Sequence, residues 1–261
     1  MRVATWNVNS IRSRLDQLTA WMARSAPDVV CMQETKVEDD IFPRDALGEV
    51  GYQVVFHGQK TYNGVAIAAK FGMVVDDVER SLGDEVGDPQ ARLIAASIEG
   101  IRIVTAYVPN GQAVGSPAFG YKLEWFERLR KYLMARHTPD QEVLVCGDFN
   151  VAPEPIDIVD PKKSEGNILF HPDERAAFQR LCDWGMVDVF RAQHPGEAGL
   201  YSWWDYRMGA YRKNRGARID HILCTKPLAA RVTGAMVDKR PRELERPSDH
   251  APVIVELGPS P

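Results

Sequence analysis

The sequence predicts an α/β protein whose β-sheets pack on each other under an outer cover of helices. Three observations carry this reading. Short apolar strand-like runs come in blocks, amphipathic helical stretches separate the blocks, and no linker or change of composition divides the 261 residues. Hydrophobic residues make up 44% and charged residues 26%, which leaves ample apolar material for a large core. One catalytic-size domain over residues 1–261 is expected, with a loose tail at 257–261.

Each element has a local reason. Residues 2–6 read as an apolar strand ending in Asn7-Val8-Asn9. Ser10 is the expected helix cap, because Ile11, Leu15, Leu18 and Met22 then share one helical face, and Pro27-Asp28 stops that helix. Residues 29–32 form a short apolar strand that leads at once into Gln33-Glu34-Thr35. Further strands are expected at 52–56, 65–69, 74–78, 93–98 and 101–107, with turns at Asn63-Gly64 and Glu99-Gly100; the last two strands pair as a hairpin. Trp125, Leu129 and Tyr132 mark one face of a helix over 121–135. A buried strand at 143–146 runs into Gly147-Asp148-Phe149-Asn150. Residues 151–172 read as a long polar loop, and Pro172 opens a helix over 173–184. Final strands are expected at 218–224, 231–237 and 252–256.

Bulk chemistry excludes several classes. No apolar run approaches a membrane span, and the N-terminal residues contain no apolar signal stretch. Cys31, Cys146, Cys182 and Cys224 form no Cys-x-x-Cys pair and lie mostly in apolar runs, so buried thiols and a reducing, cytoplasmic compartment are expected. The formal net charge of -4 disfavours a tight, stoichiometric nucleic-acid binder, whose affinity rests on phosphate neutralisation. It leaves room for an enzyme that carries positive charge locally.

One pattern recurs at the strand ends. Apolar runs lead directly to Asn7, to Glu34, to Asp148 and Asn150, and to Asp220, while Pro247-Ser248 precedes Asp249-His250. Side chains at strand ends are held by the core below them and can converge. Oxygen donors without a cysteine cluster or a His-x-x-x-His pair suit a hard cation such as Mg²⁺, with Mn²⁺ as the alternative ion. Glu34 is the leading ligand candidate. A metal, a carboxylate that orients water and a histidine that stabilises phosphate charge make a phosphodiesterase. The other histidines, His57, His137, His171, His194 and His221, scatter without ligand spacing and read as structural or surface residues.

Seven segments in order carry a family resemblance: Thr5-Trp6-Asn7-Val8-Asn9, Gln33-Glu34-Thr35-Lys36, Tyr107-Val108-Pro109-Asn110-Gly111, Gly147-Asp148-Phe149-Asn150, Ser202-Trp203-Trp204-Asp205-Tyr206-Arg207, Arg218-Ile219-Asp220-His221 and Ser248-Asp249-His250-Ala251-Pro252. Together they resemble the exodeoxyribonuclease III and apurinic/apyrimidinic endonuclease family, within the endonuclease/exonuclease/phosphatase superfamily. The resemblance runs from residue 2 to about residue 256. It implies a four-layered α/β sandwich, two mixed sheets face to face with helices outside. It implies a repair nuclease that incises 5′ of abasic sites, degrades DNA 3′ to 5′ and cleans blocked 3′ ends. It also implies roles. Glu34 holds the metal, with Asn7, Asp148, Asn150 and His250 around the ion and Asp249 ligating or bracing. Asp148 orients or deprotonates water, Asn150 and Tyr107 contact the phosphate, and Asn110 makes a nearby phosphate or backbone contact. Asp220 fixes the tautomer of His250, which stabilises the transition state.

Substrate recognition is expected from residues 205–231. Arg207, Arg212, Lys213, Arg215, Arg218, Lys226 and Arg231 face only Asp205 and Asp220 in sequence, and Trp203, Trp204, Tyr206 and Tyr211 lie among or beside them. Cations track phosphates while rings stack or wedge. The expected DNA contacts are Asn110, Trp203, Trp204, Arg207, Arg212, Lys213, Arg215, Ala217 and Ile219. In the family, Trp204 and Ile219 match positions that shape a pocket for a flipped-out abasic sugar. Ala217 departs from the bulky Trp or Leu found there in relatives, which predicts a wider pocket and a looser abasic preference. The expected partner is double-stranded DNA with abasic sites, nicks or blocked 3′ ends, met by a monomer. Two rival readings share the scaffold: a phosphatase or ribonuclease, and a non-catalytic nucleic-acid-binding regulator.

Overall fold

The computed structural model describes residues 1–259; residues 260–261 of the expected loose tail lie outside the described residues. In chain order the elements are β1 (Arg2–Asn7), α1 (Leu15–Ser25), β2 (Val29–Gln33), α2 (Arg44–Glu49), β3 (Tyr52–His57), β4 (Val65–Lys70), β5 (Val75–Glu79), β6 (Leu93–Ile98) and β7 (Ile101–Tyr107). There follow α3 (Pro117–Arg136), β8 (Val143–Asp148), α4 (Pro161–Ser164), α5 (Pro172–Trp184), β9 (Met186–Asp188), α6 (Val189–Gln193), β10 (Asp220–Thr225), α7 (Lys226–Ala229), β11 (Val232–Val237) and β12 (Val253–Leu257). Two six-stranded sheets result, in the orders β11-β12-β1-β2-β4-β3 and β5-β6-β7-β8-β10-β9. Each is mixed. β1 with β2 and β7 with β8 are parallel, and the remaining pairs are antiparallel.

Side-chain alternation explains the layers. Val3, Cys31 and Ile67 of the first sheet meet Ile103, Leu144 and Ile222 of the second in one buried cluster. The intervening residues face outward under helices. Ala4, Trp6 and Met32 pack below α1 and α2, and Val104, Val145 and Leu223 pack below α3 and α5. Burying an aliphatic or aromatic side chain of this size stabilises by roughly 1.5–3 kcal/mol. Two sheets and two helical covers make the sandwich expected from the resemblance.

Alternation also positions the site. Asn7 has the parity of Val3, Tyr107 that of Ile103, Asp148 that of Leu144, and Asp220 that of Ile222. Each is thus the last inward-facing position at one end of its strand. Register aligns them, since Tyr107 and Asp220 both pair with Asp148.

Several boundaries differ from expectation for local reasons. The first helix begins at Leu15, not Ser10, because Ser10 N and Ile11 N donate to the carbonyls of Glu34 (2.7 Å) and Thr35 (3.1 Å). The second begins at Pro117, four residues before 121, where the Ser116 side chain accepts from Phe119 N. The strand expected from 218 starts at Asp220, because Arg218 N donates to Asp157 O and Ile219 N to Ser202 Oγ. Residues 151–172 contain α4 and pack Ile158 and Phe170 into a small apolar cluster. The short elements α2, β9, α6 and α7 carried no periodic signal. All four cysteines are free, and three are buried. Among the described residues no helix is long and apolar enough to cross a membrane.

Candidate active site

The inward strand ends meet the segment before β12. Asn7 Nδ2 donates to Glu34 Oε1 (2.7 Å) and to Asp148 Oδ2 (2.9 Å), joining the two sheets. His250 Nδ1 lies 2.8 Å from Asp220 Oδ2, and its Nε2 lies 3.7 Å from Asp148 Oδ2. Ser202 Oγ donates to Asp220 Oδ2 (2.7 Å), and Ser248 Oγ donates to Asn7 O (2.7 Å), so both walls are braced. Glu34 and Asn150 take left-handed backbone angles, φ 51° each, where the chain turns sharply after β2 and β8.

Electrostatics follow from burial and neighbours. Burial alone disfavours a charged His250, but Asp220 and Asp148 outweigh it and hold the ring protonated well above the usual range. Burial pushes the Asp148 carboxyl up and His250 pulls it down, while Asp220 and Glu34 repel its charge; the net shift is upward. Burial also raises Glu34, yet Lys36, the Asn7 amide and His250 leave it below the usual carboxylate range. Tyr107 is held well above the ordinary phenol value by burial, then by the Glu34 and Asp148 charges. Its hydroxyl is therefore a donor.

The residues present fit a hard divalent cation. Glu34, Asp148 and His250 place ligand-type atoms within 4.8 Å of one another. Of these, the two carboxylates are the suitable donors, matching the one or two that Mg²⁺ usually takes. His250 Nδ1 is turned to Asp220, so Nε2 is the ring nitrogen that faces Asp148 and the site. Asp249 is braced, with its oxygens accepting from Asn9 Nδ2 (2.9 Å) and Trp203 Nε1 (3.0 Å). Asn150 is held in the same way: Nδ2 donates to Val108 O (3.0 Å), and Oδ1 accepts from Asn110 Nδ2 (2.9 Å).

The expected DNA contacts divide. Arg212 and Lys213 are exposed, and Arg207 and Arg215 are exposed but ion-paired with Asp205 and Asp160. Arg218 is buried between Asp157 and Asp188, Lys226 stands at the far end of β10, and Arg231 pairs with Glu142; these three leave the basic face. Trp204 is 0% exposed, with Nε1 on Asn214, so its ring is core and not a stacking surface. The half-buried Trp203 lines the neighbouring cluster with Ile158, Phe170, Ala217 and Ile219. Ala217 is 1% exposed and bridged to Ile158 and Trp203, so it does not floor an open, widened pocket. His221 faces the helical layer opposite Asp220, as strand alternation requires, against Phe149 and Phe178.

Other functional groups escaped the sequence. Lys36 reaches both Glu34 Oε2 and Asn9 Oδ1 at 2.8 Å. Fully buried Lys122 donates to the main-chain carbonyls of Asn150 (2.6 Å) and Asn110 (3.2 Å) and pairs with buried Glu174. Met208 is 89% exposed at a loop tip beside Arg207. Lys36 and Asn9 lay inside recognised segments, and that adjacency was their only signal. Lys122 and Glu174 looked like ordinary helix-surface charges.

Carboxylates and a protonated imidazole at the mouth of a two-sheet α/β sandwich define a class of phosphoester-processing scaffold. The chain belongs to the Endonuclease/Exonuclease/phosphatase family, whose model matches residues 4–250. It is 36% identical to exodeoxyribonuclease III of Haemophilus influenzae, over 98% of this chain and 100% of the relative. Its structure is similar to that of an AP endonuclease from Archaeoglobus fulgidus, with TM-score 0.94 and 44% identity over 98% of this chain and 99% of the other. A 3′ phosphatase from Neisseria, solved with a product DNA hairpin, matches with TM-score 0.94 and 43% identity over 98% and 99% of the two chains.

Proposed function

We propose that the chain is a DNA repair nuclease that hydrolyses backbone phosphodiesters in duplex DNA at abasic sites, nicks and blocked 3′ ends. The observation that carries this reading is the convergence of Glu34, Asp148 and the Asp220–His250 pair, supplied by both sheets, within a few ångströms. The relatives named above act on DNA ends or abasic sites by their own descriptions, which supports the substrate class.

Glu34 and Asp148 would hold a Mg²⁺ ion, which would supply positive charge against the phosphate oxygens. Asp148 accepts hydrogen bonds from Asn7 Nδ2 and Asn150 N and keeps an oriented lone pair for a water. Its raised pKa suits it to take that water's proton. His250, fixed by Asp220, presents a charged N–H toward the non-bridging oxygen that gains charge as the bond breaks. Tyr107 offers a phenolic O–H to the same group. The exposed Arg207, Arg212 and Lys213 track the backbone, while Met208 and Trp203 meet the bases and the sugar. No observation favours the non-catalytic reading.

A gel assay on matched duplexes carrying an abasic site, a nick or a 3′-phosphate, with and without EDTA, tests this. Chelator-sensitive cleavage of at least one DNA is the expected result. Intact DNA alongside turnover of RNA or a soluble phosphomonoester would point to the rival hydrolase.

A further inference from the structure

Outside the catalytic centre, one buried cation forms no direct ion pair among the described residues, although the Asp249 charge acts on it. Arg242 is 6% exposed. Its Nη1 donates to the Ser248 carbonyl, its Nε has no partner, and it forms no ion pair among the described residues. The guanidinium lies 5.0, 5.6 and 5.9 Å from the ring centres of Tyr211, Tyr206 and Trp204. The rings attract the cation but carry no net charge, so they do not neutralise it.

A cavity of about 510 Å³ opens beside this arginine, lined by Arg242, Arg212, Tyr206, Tyr211, Asp205 and Glu243 among others. Asp205 is already neutralised by Arg207, while Glu243 is exposed to solvent and lies against Tyr211. The cavity borders the catalytic centre through one layer of side chains. Tyr206 OH accepts from Asn9 Nδ2 (3.3 Å), and the same Asn9 amide holds Asp249 (2.9 Å).

We propose that this cavity is a second anion subsite, which takes a phosphodiester of the DNA strand beyond those flanking the scissile bond. The proposal rests on the DNA reading given above. A phosphodiester supplies a negative charge and acceptors for Nη2, the guanidinium nitrogen that is neither bonded to Ser248 nor sealed in the interior. Arg212 guides the strand at the rim, and the volume admits the attached sugar against Tyr206, which is largely exposed.

The test is a methylphosphonate scan. Abasic duplexes carry one neutral linkage at successive positions, and binding is measured for the wild type, Arg242→Gln and Arg212→Gln. At one position outside the scissile pair, neutralisation should weaken wild-type binding about tenfold. Arg242→Gln should lose less than about twofold at that position, with ordinary sensitivity elsewhere and a salt slope lower by about one unit. Arg212→Gln changes an exposed residue and reads the same position if Arg242→Gln fails to fold. A wild type that binds and cuts DNA but shares every loss with the variants overturns the subsite alone. A wild type that binds no DNA overturns the subsite together with the reading beneath it.

Discussion

Asp148 occupies the last inward position of β8, and its surroundings decide what it does. Burial, then repulsion by Asp220 and Glu34, make it a stronger base than an exposed aspartate, and the His250 charge only partly opposes this. Asp148→Asn retains the shape and removes the base. Single-turnover cleavage should fall by about 10²–10⁴-fold. Thermal unfolding should stay near that of the wild type, and near-normal cleavage would remove Asp148 from the chemistry. The residue types at the strand ends were legible because a carboxylate or carboxamide directly after an apolar run is visible in one dimension. Which of two adjacent aromatics faces the cleft was not. Trp203 and Trp204 are exchanged by a one-residue shift, and the shift is set by the pairing of residue 203 with Ala217. Ala217 shows the same limit. Its small side chain suggested an open pocket, whereas Ile158 and Phe170 from residues 151–172 cover it. Ala217→Trp is therefore expected to overpack that cluster and destabilise by about 1–3 kcal/mol, measurable as a lower denaturant midpoint at unchanged slope.

At the scale of elements, buried ion pairs fasten the loops that carry the site. Lys122 on α3 joins Glu174 on α5 and anchors the carbonyls of Asn110 and Asn150. Burial lowers its pKa, and the neighbouring Glu174 and Asp148 charges only partly oppose this. Lys122→Met leaves Glu174 buried and unpaired, which costs about 3–5 kcal/mol. The double variant Lys122→Met/Glu174→Leu should recover most of that stability yet keep a reduced kcat at near-normal KM, since no side chain then holds the Asn150 carbonyl. Recovery of stability and kcat together would make the pair structural only. A second fastening joins residues 151–172 to the start of β10 through Asp157, Arg218 and Asp188. Burial raises both carboxyls, but the Arg218 charge overrides it and their pKa values fall below the usual range. A depressed carboxylate contributes stability above its unfolded pKa and loses it as pH falls through the folded value. Stability should thus drop below about pH 4, and Asp157→Asn should flatten that part of the profile; an unchanged acid limb would refute the linkage. Periodicity revealed the long helices and strands. It did not reveal these fastenings, whose partners lie 52 and 61 residues apart in sequence.

Across the whole molecule, the site exists only where two sheets meet. Asn7 and Glu34 come from the first sheet and its edge, Asp148 and Asp220 from the second, and His250 from the approach to β12. The alternation of apolar residues announced paired sheets under helices, but strand order was beyond reach. Nothing local says that β12 lies beside β1 or that β4 separates β2 from β3, because those neighbours are chosen by packing across the entire chain. This joint construction has a thermodynamic consequence. Glu34, Asp148 and Asp220 crowd negative charge between the sheets, and His250 and Lys36 answer it only partly. A divalent cation held by residues from both sheets binds the folded state and not the unfolded chain, so it must stabilise the sandwich as a whole. At a hundredfold excess over Kd the gain is about 2.7 kcal/mol, several degrees in Tm for a chain of this size. Mg²⁺ added to metal-stripped protein should raise Tm in a saturable way, EDTA should reverse it, and Glu34→Gln should abolish the increment. A Tm that ignores Mg²⁺ while cleavage still requires it would mean that the ion arrives with the DNA, held chiefly by phosphate oxygens and not by the two sheets.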